Sequence, residues 1–351
     1  MKTIIFSLFL LFFFSCSNHH QSEIERKAER IANDEYIASI SKKLDHSVVR
    51  ASEPALNNFL DSVYNLKNAE PERNPMYFED SIFRSRVNMS LIINDKDFEI
   101  LKMGAKNGKL DLLTANKIFK HSIDSTYISG NHVTISFLPF NSNKAFNEFG
   151  ICIGDYQFSM ENDVYFFNKN RVIAYHHIYH RYGLDIYSFR DKDKRTTIYY
   201  RQNFGGGTPN WQFNSFFYKY IDDKLEPVLN IPESSNHEAF DGHNYSLESQ
   251  ILKKSPLTIG YFYSQEITDS PNKTLKLMND SAIVQFLWDE NKLAYTSKYS
   301  DKFSYRNLLS YVHYDPSYVI KSYYPFLKTI LAGKDTVKKN IVLNYLDHIK
   351  N

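Results

Sequence analysis

The sequence predicts an α+β protein with helices in both terminal regions and a β-rich middle. In residues 23–122 and again in residues 301–351, apolar side chains recur every three or four positions, which is typical of amphipathic helices. Between them, residues 123–300 contain many short stretches of alternating apolar and polar residues, which indicate strands. The chain also contains 26 Tyr and 27 Phe. These residue types suit the half-buried surfaces of sheets, so they favour the same fold class.

The spacing predicts four helices in the N-terminal region, residues 23–122. Their predicted spans are 24–50, 52–67, 94 or 95 to 104 or 108, and 112–121. The second begins at Ser52, whose hydroxyl can cap free backbone N–H groups. Pro54 fits its first turn because the N–H that proline lacks would be unpaired there. This region is therefore predicted to be mostly helical.

Residues 123–300 predict one antiparallel β-meander, as an open sheet, a sandwich or a partial barrel. The alternation indicates about eight to twelve strands. The clearest are 133–137, 163–167, 172–179, 184–189, 196–201, 212–221, 258–263 and 283–288. Most connections between them are too short to hold crossover helices, which favours antiparallel pairing. Residues 205–209 predict a loop, and residues 232–254 predict the longest irregular segment.

Helical spacing returns in residues 301–351, which predict a C-terminal helical cap. The two expected helices span 318–331 and 336–349 and are separated by Gly333. Asp335 or Thr336 can cap the second. We expect these helices to cover one face or edge of the sheet.

The first residues have the pattern of an export signal. Lys2 supplies a positive charge, and residues 4–14 are apolar apart from Ser7. This run is shorter than the ~20 residues that a membrane-spanning helix needs. Ser15 and Cys16 close the run and a polar stretch follows. The sequence therefore predicts a signal peptide at residues 1–15, and Cys16 with a tether at residues 16–22.

The pair Ser15 and Cys16 at the end of an apolar run resembles the lipobox of bacterial lipoprotein precursors. Phe13 and Phe14 stand where a Leu and a small residue are commoner, and the resemblance covers about the first 16 residues. It implies that Cys16 carries fatty acyl chains such as palmitate and becomes the mature N-terminus. The implied location is the bacterial cell envelope, lipid-anchored in the outer membrane, on its periplasmic face or at the cell surface. Two alternatives remain: a cleaved signal peptide with an incidental Cys, or an uncleaved membrane anchor.

Charge and cysteine content narrow the possible functions. The formal net charge is +2 without a block of like charge, which argues against a nucleic-acid partner. The chain has two cysteines, Cys16 and Cys152. If Cys16 is acylated, Cys152 has no disulfide partner. It stands in an apolar run, so we interpret it as a small buried hydrophobic residue.

The first candidate for a metal site is the cluster around His176 and His180. Two His residues four positions apart on a helix can bind one zinc ion. The surrounding residues indicate a strand, where the two would lie about 13 Å apart on one face. That separation is too large for a single metal, although His176 can still pair with a ligand from a neighbouring strand. A polar, partly exposed strand face is the simpler interpretation.

A second candidate lies in residues 237–243, where two imidazoles and two carboxylates fall within seven positions. His237, Asp241 and His243 can coordinate a cation, and Glu238 can act as a general base. Long ordered loops are often functional. The simpler alternative is a solvated loop in which Asp241 and Gly242 make a turn.

Aromatic residues provide the remaining candidate. Trp211 and Phe213 can stack on a ligand such as a glycan, or they can simply belong to the core and sheet face. The Gly205–Gly207 run lacks the Lys of a phosphate-binding loop. A Gly-x-Ser-x-Gly elbow is absent from the sequence.

The leading functional prediction is therefore a non-catalytic, lipid-anchored protein. We expect it to contact the membrane through its anchor and to bind an envelope protein, a glycan or a small ligand, with no cofactor. The alternative is a metal-dependent envelope hydrolase that uses His237, Asp241 and His243, with His176 or His180 from the sheet.

Overall fold

The protein is known from a computed structural model, which describes residues 50–66, 88–119, 123–141, 144–207, 210–236, 243–268, 275–298 and 316–350. Within these ranges the chain forms five helices and fifteen strands, and the strands make two antiparallel sheets. The α+β fold class is thus confirmed. The predicted signal peptide, Cys16, the tether and all but the last residue of the predicted helix 24–50 lie outside the described residues.

The chain divides into two compact units, residues 1–56 and residues 57–351. Of the first unit, the structure describes residues 50–56. Everything that follows on packing and sites concerns the second unit. None of the described helices combines the length and the apolar character that crossing a membrane requires.

The helices follow the predicted spacing closely. They are α1 (Glu53–Asn65), α2 (Asp95–Asn107), α3 (Leu112–Ile118), α4 (Pro316–Ala332) and α5 (Thr336–Lys350). Helix α2 begins where the Asn94 side chain accepts the N–H of Asp97 at 2.9 Å. It ends at Gly108, whose φ of 70° places it in the left-handed region.

The first sheet combines strands from two regions of the sequence. Its members are β1 (Asn88–Ile92), β2 (Lys109–Asp111), β3 (Ile128–Ser129), β4 (His132–Pro139), β5 (Glu148–Ile153), β6 (Glu161–Asn168) and β7 (Arg171–Tyr179). The order is β1-β7-β6-β5-β4-β2, and β3 also pairs with β4. The region predicted to be mostly helical, residues 23–122, therefore contributes β1 and β2 to this sheet. Both strands are too short to produce a clear alternation.

The second sheet is a meander in chain order. It contains β8 (Ile186–Arg190), β9 (Thr196–Gly207), β10 (Asn210–Ile221), β11 (Lys224–Asn236), β12 (His243–Lys254), β13 (Leu257–Thr268), β14 (Lys276–Asp289) and β15 (Ala294–Thr296). The predicted antiparallel meander is thus found in this sheet. The β-body, which the sequence left open as an open sheet, a sandwich or a partial barrel, consists of two sheets.

The first sheet is buried on both faces. Val164 and Phe166 of β6 belong to a cluster that includes Tyr200 and Tyr218 of the second sheet. Their neighbours Tyr165 and Phe167 point the other way, into a cluster with residues of α2 and α3. The sheet is therefore a middle layer between helices and the second sheet. Cys152 of β5 is fully buried in the first of these clusters, as predicted.

The second sheet curls so that strands from both of its ends share one core. This inner core joins Tyr199 and Phe217 of β9 and β10 to Tyr261, Phe286 and Tyr295 of β13 to β15. Helices α4 and α5 pack on the same sheet. For example, the Tyr323 hydroxyl of α4 donates a hydrogen bond to Asp280 of β14 at 2.5 Å.

Among the described residues, strands β11 and β12 pair at three positions, Ser234–Asn236. By contrast, all twelve residues of β10 pair with β11. The earlier part of β11, from Lys224 to Glu233, has no backbone pairing with β12. We call this unpaired stretch the seam, because it divides the curled sheet into the half β8–β11 and the half β12–β15.

Two predictions for this sheet are wrong. The predicted loop at 205–209 is strand through Gly207, because Gly205–Gly207 pair with Asn210–Gln212 through the backbone, which needs no side chain. The predicted irregular segment at 232–254 instead contains the end of β11 and all of β12. Its polar residues Glu233 and Ser249 are buried and hydrogen-bond to each other, so the usual alternation is missing.

Candidate functional site

A cavity of about 500 Å³ opens between the two halves of the curled sheet. Its walls come from β8 and β9 on one side, from β12 on the other, and from the connection between β7 and β8. The lining residues are His180, Asp185, Tyr187, Phe189, Tyr199, Arg201, Ile251 and Lys254. Phe189, Tyr199 and Ile251 also contact the inner core, so the cavity continues it towards solvent.

The connection between β7 and β8 holds His180 and Asp185 beside the cavity because it packs tightly on a neighbouring loop. The N–H of Leu184 donates to the carbonyl oxygen of Tyr156 at 2.7 Å. Gly183 has a φ of 84°, and a Cβ there would lie 1.9 Å from the carbonyl oxygen of Gln157. Glycine is therefore required for both the backbone angle and the close contact.

Two tyrosines form a flat wall of the cavity. The rings of Tyr187 and Tyr199 are stacked, with centroids 5.8 Å apart and planes inclined by 22°. Tyr199 is buried, whereas Tyr187 is half exposed, so one ring face remains open to a ligand. Burial and the nearby carboxylate of Asp185, which accepts a hydrogen bond from Tyr187, raise the pKa of the Tyr187 hydroxyl.

A buried carboxylate lies behind the cavity, at the seam. Glu233 of β11 is completely buried and forms an ion pair with Arg201 of β9 at 2.8 Å. It also accepts hydrogen bonds from Ser215 of β10 and from Ser249 of β12, the latter at 2.5 Å. Burial raises the pKa of Glu233, although these partners oppose the shift. Glu233 thus links four strands across the opening between β11 and β12.

Arg201 connects this buried carboxylate to the cavity. One of its terminal nitrogens, Nη2, contacts both Glu233 and the carbonyl oxygen of Ser249, the latter at 3.4 Å. The Arg201 side chain is still 39% exposed and lines the cavity. Its planar guanidinium group is therefore fixed from behind and also hydrogen-bonds to Tyr199, while its exposed part can contact a ligand. Across the seam, the ammonium group of Lys254 adds a second cation to the lining of the cavity. Burial lowers the pKa of His180, which favours the neutral form of its imidazole.

We predict that the stability gap between the wild type and Glu233→Gln depends on pH. The folded-state pKa of Glu233 lies above the ordinary value of 4.5, so the folded state holds this proton more tightly than the unfolded state. The stabilisation is present below pH 4.5 and is lost as the pH rises through the folded pKa. The wild type should therefore lose stability relative to the variant over that window, by about 1.4 kcal/mol for every tenfold difference in proton affinity between the two states.

Urea unfolding at a series of pH values measures this gap. Carboxylates with lowered pKa values, such as Asp61 and Asp191, have the opposite effect, because their contribution to the free energy of unfolding is lost as the pH falls. They are present in both proteins, so their contributions cancel in the difference. Glu161→Gln, at an exposed position of β6, controls for the removal of a carboxylate. A gap that stays constant, or that widens in favour of the wild type as the pH rises, would contradict the prediction.

The structure places His176, His180 and His243, which were considered as metal ligands, in three different surroundings. His176 is completely buried between the two sheets, where its Nδ1 lies 3.0 Å from the Tyr200 hydroxyl and its ring contacts Phe166 and Tyr218. The simpler interpretation of His176 as part of a partly exposed face is therefore wrong. A polar side chain can be buried here because an aromatic hydroxyl of the facing sheet pairs with it.

His180, just after β7, lies at the cavity and stacks on Phe213 with ring centroids 5.5 Å apart. Phe213 in turn contacts Trp211 at 5.3 Å. The half-buried rings of Trp211, Phe213 and His180 thus form a continuous row of contacts from β10 to the cavity. The aromatic pair that the sequence singled out, Trp211 and Phe213, lies next to the candidate site through His180.

His243 occupies a different environment. It begins β12 instead of lying in a loop, and it is buried, with Nε2 3.1 Å from the side-chain oxygen of Gln265 and its ring against Tyr345 of α5. His237 and Asp241 lie outside the described residues. In the described part of the chain, no three His, Cys, Asp or Glu side chains form a group that can hold a metal ion.

Sequence reasoning missed the cavity residues Tyr187, Arg201 and Lys254, and also Glu233 behind them. Their positions along the chain are far apart, and no short motif contains two of them. The sequence around Glu233 gives no signal either: apolar residues in Val228–Asn236 stand only before Pro232, and Glu233 and the three residues after it are polar, which is typical of a loop.

Comparison of the chain with models of known protein families, with curated proteins and with solved structures finds no significant match.

Proposed function

We propose that this protein is a lipid-anchored component of the bacterial cell envelope that binds a small ligand in the cavity between the halves of its curled sheet, without catalysing a reaction. The observation that carries the proposal is the cavity itself. Its volume of about 500 Å³ lies in the range typical of small-molecule sites, roughly 300–1,000 Å³. Its lining combines aromatic walls with a few charged groups, which is also typical of such sites.

The residues at the cavity support binding better than catalysis. Ser215 and Ser249 both donate to Glu233, so that carboxylate stabilises Arg201 and has no free path to a ligand. Aromatic side chains and a pre-positioned guanidinium group are well suited to recognition. The sequence suggests two other kinds of partner for the aromatic residues at the cavity, namely a glycan and an envelope protein.

The anchor is proposed from the N-terminal sequence. Acyl chains on Cys16 would hold the protein at the membrane, because each buried methylene contributes about 0.8 kcal/mol. We expect the full chain to sediment with the membrane fraction and Cys16→Ser to be released or left unprocessed. Intact-mass measurement should give a wild-type chain that starts at Cys16 and carries fatty acids. A wild-type chain with no acyl mass would refute the anchor.

Ligand binding is tested by equilibrium dialysis of the full-length protein, in detergent micelles, against the small-molecule extract of its own envelope. A compound should be enriched by the wild type and lost with Ile251→Trp, which fills the cavity. Leu252→Trp, at the exposed neighbouring position, should retain it and controls for partition into micelles. Thermal unfolding verifies that each variant is folded. The absence of any enriched compound, or equal enrichment by all three proteins, would refute the proposal.

A further inference from the structure

We infer that the ligand of this cavity is a small anion that contains a ring, such as an acidic sugar or an aromatic acid. The inference rests on the proposed ligand-binding function and specifies its chemistry. It comes from the arrangement of charge and of aromatic surface around the cavity.

The charges that a ligand can touch are mainly positive. Arg201 on β9 and Lys254 on β12 reach the cavity from opposite sides of the seam. The Glu233 carboxylate that balances Arg201 is completely buried behind it and cannot contact a ligand. Asp185 is the carboxylate among the lining residues, and it already accepts a hydrogen bond from the Tyr187 hydroxyl. A ligand with a carboxylate or phosphate group therefore meets two cations, Arg201 and Lys254, among the residues that line the cavity.

Glu233 acts as a positioning residue for this anion site. Through the ion pair at 2.8 Å it holds one side of the Arg201 guanidinium, so the remaining donors keep a fixed direction. A guanidinium group that is already oriented loses little side-chain entropy when a ligand binds. The fully buried hydrogen bonds from Ser215 and Ser249 fix Glu233 in turn.

The ring is inferred from the tyrosine wall. The Tyr187 ring is half exposed and is backed by the nearly parallel ring of Tyr199. Such a supported ring face can stack on a sugar or on an aromatic ring. Because Tyr187 and Arg201 line the same cavity, one ligand of modest size can use both contacts.

The test uses pairs of probes that differ in charge: glucuronate against glucose, and benzoate against benzyl alcohol. Dissociation constants are measured by saturation-transfer NMR with the full-length protein in micelles, at up to about 20 mM probe, because single rings bind weakly. For one or both acids, we expect a dissociation constant roughly fivefold or more below that of the neutral analogue. The sugar and benzoate pairs distinguish the two kinds of ring.

Variants assign the two contacts. Lys254→Gln should weaken the acid roughly fivefold and leave the neutral analogue unchanged. Tyr187→Ala should weaken both members of a pair. Lys253→Gln and Tyr182→Ala, at exposed positions that do not line the cavity, should change neither.

Equal binding of an acid and its neutral analogue would overturn the inference, as would failure of both acids to bind. Equal effects of Lys253→Gln and Lys254→Gln would also overturn it. In each case the proposed function would still stand if the dialysis experiment finds a compound that Ile251→Trp loses. Failure of that dialysis experiment would remove the ligand-binding function itself.

Discussion

Replacing Lys219 by Met is expected to destabilise the protein by about 3–5 kcal/mol, the usual cost of leaving a buried charge without its partner. Lys219 of β10 is completely buried. Its ammonium group lies 2.8 Å from Asp193 and 3.3 Å from Asp191. It also lies 3.7 Å from the centre of the Trp288 ring, where a cation is favoured.

The loss should be large because Asp191 cannot reach solvent when Lys219 is removed. Asp191 is 5% exposed and accepts hydrogen bonds from Tyr295 of β15, at 2.7 Å, and from the backbone N–H of Leu257 in β13, at 3.1 Å. Burial opposes ionisation, yet these bonds and Lys219 hold the pKa of Asp191 below its usual value. Asp191 therefore joins the turn after β8 to β10 through the ion pair, and to the other half of the curled sheet through Tyr295 and Leu257.

Urea unfolding of the full-length protein checks this prediction. Lys276→Met is the matched control, because Lys276 pairs with Glu266 at 2.6 Å but is 54% exposed. Its loss should be at most about 1 kcal/mol. Adding Asp191→Asn to Lys219→Met should recover part of the stability, since it removes the uncompensated charge. A Lys219→Met loss no larger than that of the control would contradict the assigned role.

Phe166→Ala is expected to cost about 3–5 kcal/mol, as is usual when a large aromatic side chain is removed from a core. Phe166 is completely buried in the cluster between the two sheets. Its ring contacts that of His176 at 4.7 Å and that of Phe140 at 6.1 Å. Removing it leaves a cavity between two sheets whose backbones are fixed by their own hydrogen bonds, so the site can collapse only in part.

The exposed Phe158 provides the control for this experiment. It is 84% exposed, and Phe158→Ala should change stability by no more than about 0.5 kcal/mol. Both variants are measured by urea unfolding. Similar small effects for the two would mean that Phe166 does not hold the sheets together.

The sequence predicted the helices well and the strands in part. Helices have local signals, such as the cap at Asn94 and the left-handed Gly108, which need no knowledge of distant residues. Strand β5 was missed because both of its faces are buried, which makes Phe149–Ile153 a continuous apolar run without alternation. The division into two sheets depends on which strands pair, and the sequence pattern does not contain that information.

The candidate site was harder to predict than the fold. His180, Trp211 and Phe213 were singled out and lie at or beside the cavity. Arg201 and Glu233 were not, because 32 positions separate them and their pairing depends on the seam between β11 and β12. The buried polar residues around Glu233 also led to the wrong prediction for β11 and β12, because a polar stretch without alternation is typical of a loop.

The end strands of the two sheets have a consequence for behaviour at high concentration. Each sheet ends in short strands: β1 with five residues and β2 with three, and β8 with five and β15 with three, whereas central strands reach 14. An unpaired border strand offers its free backbone groups to the border of another molecule, and a short one offers few. We therefore expect few backbone contacts between molecules at these short strands. The longer β14 is the more exposed border, because among the described residues β15 pairs only with its Leu287–Asp289.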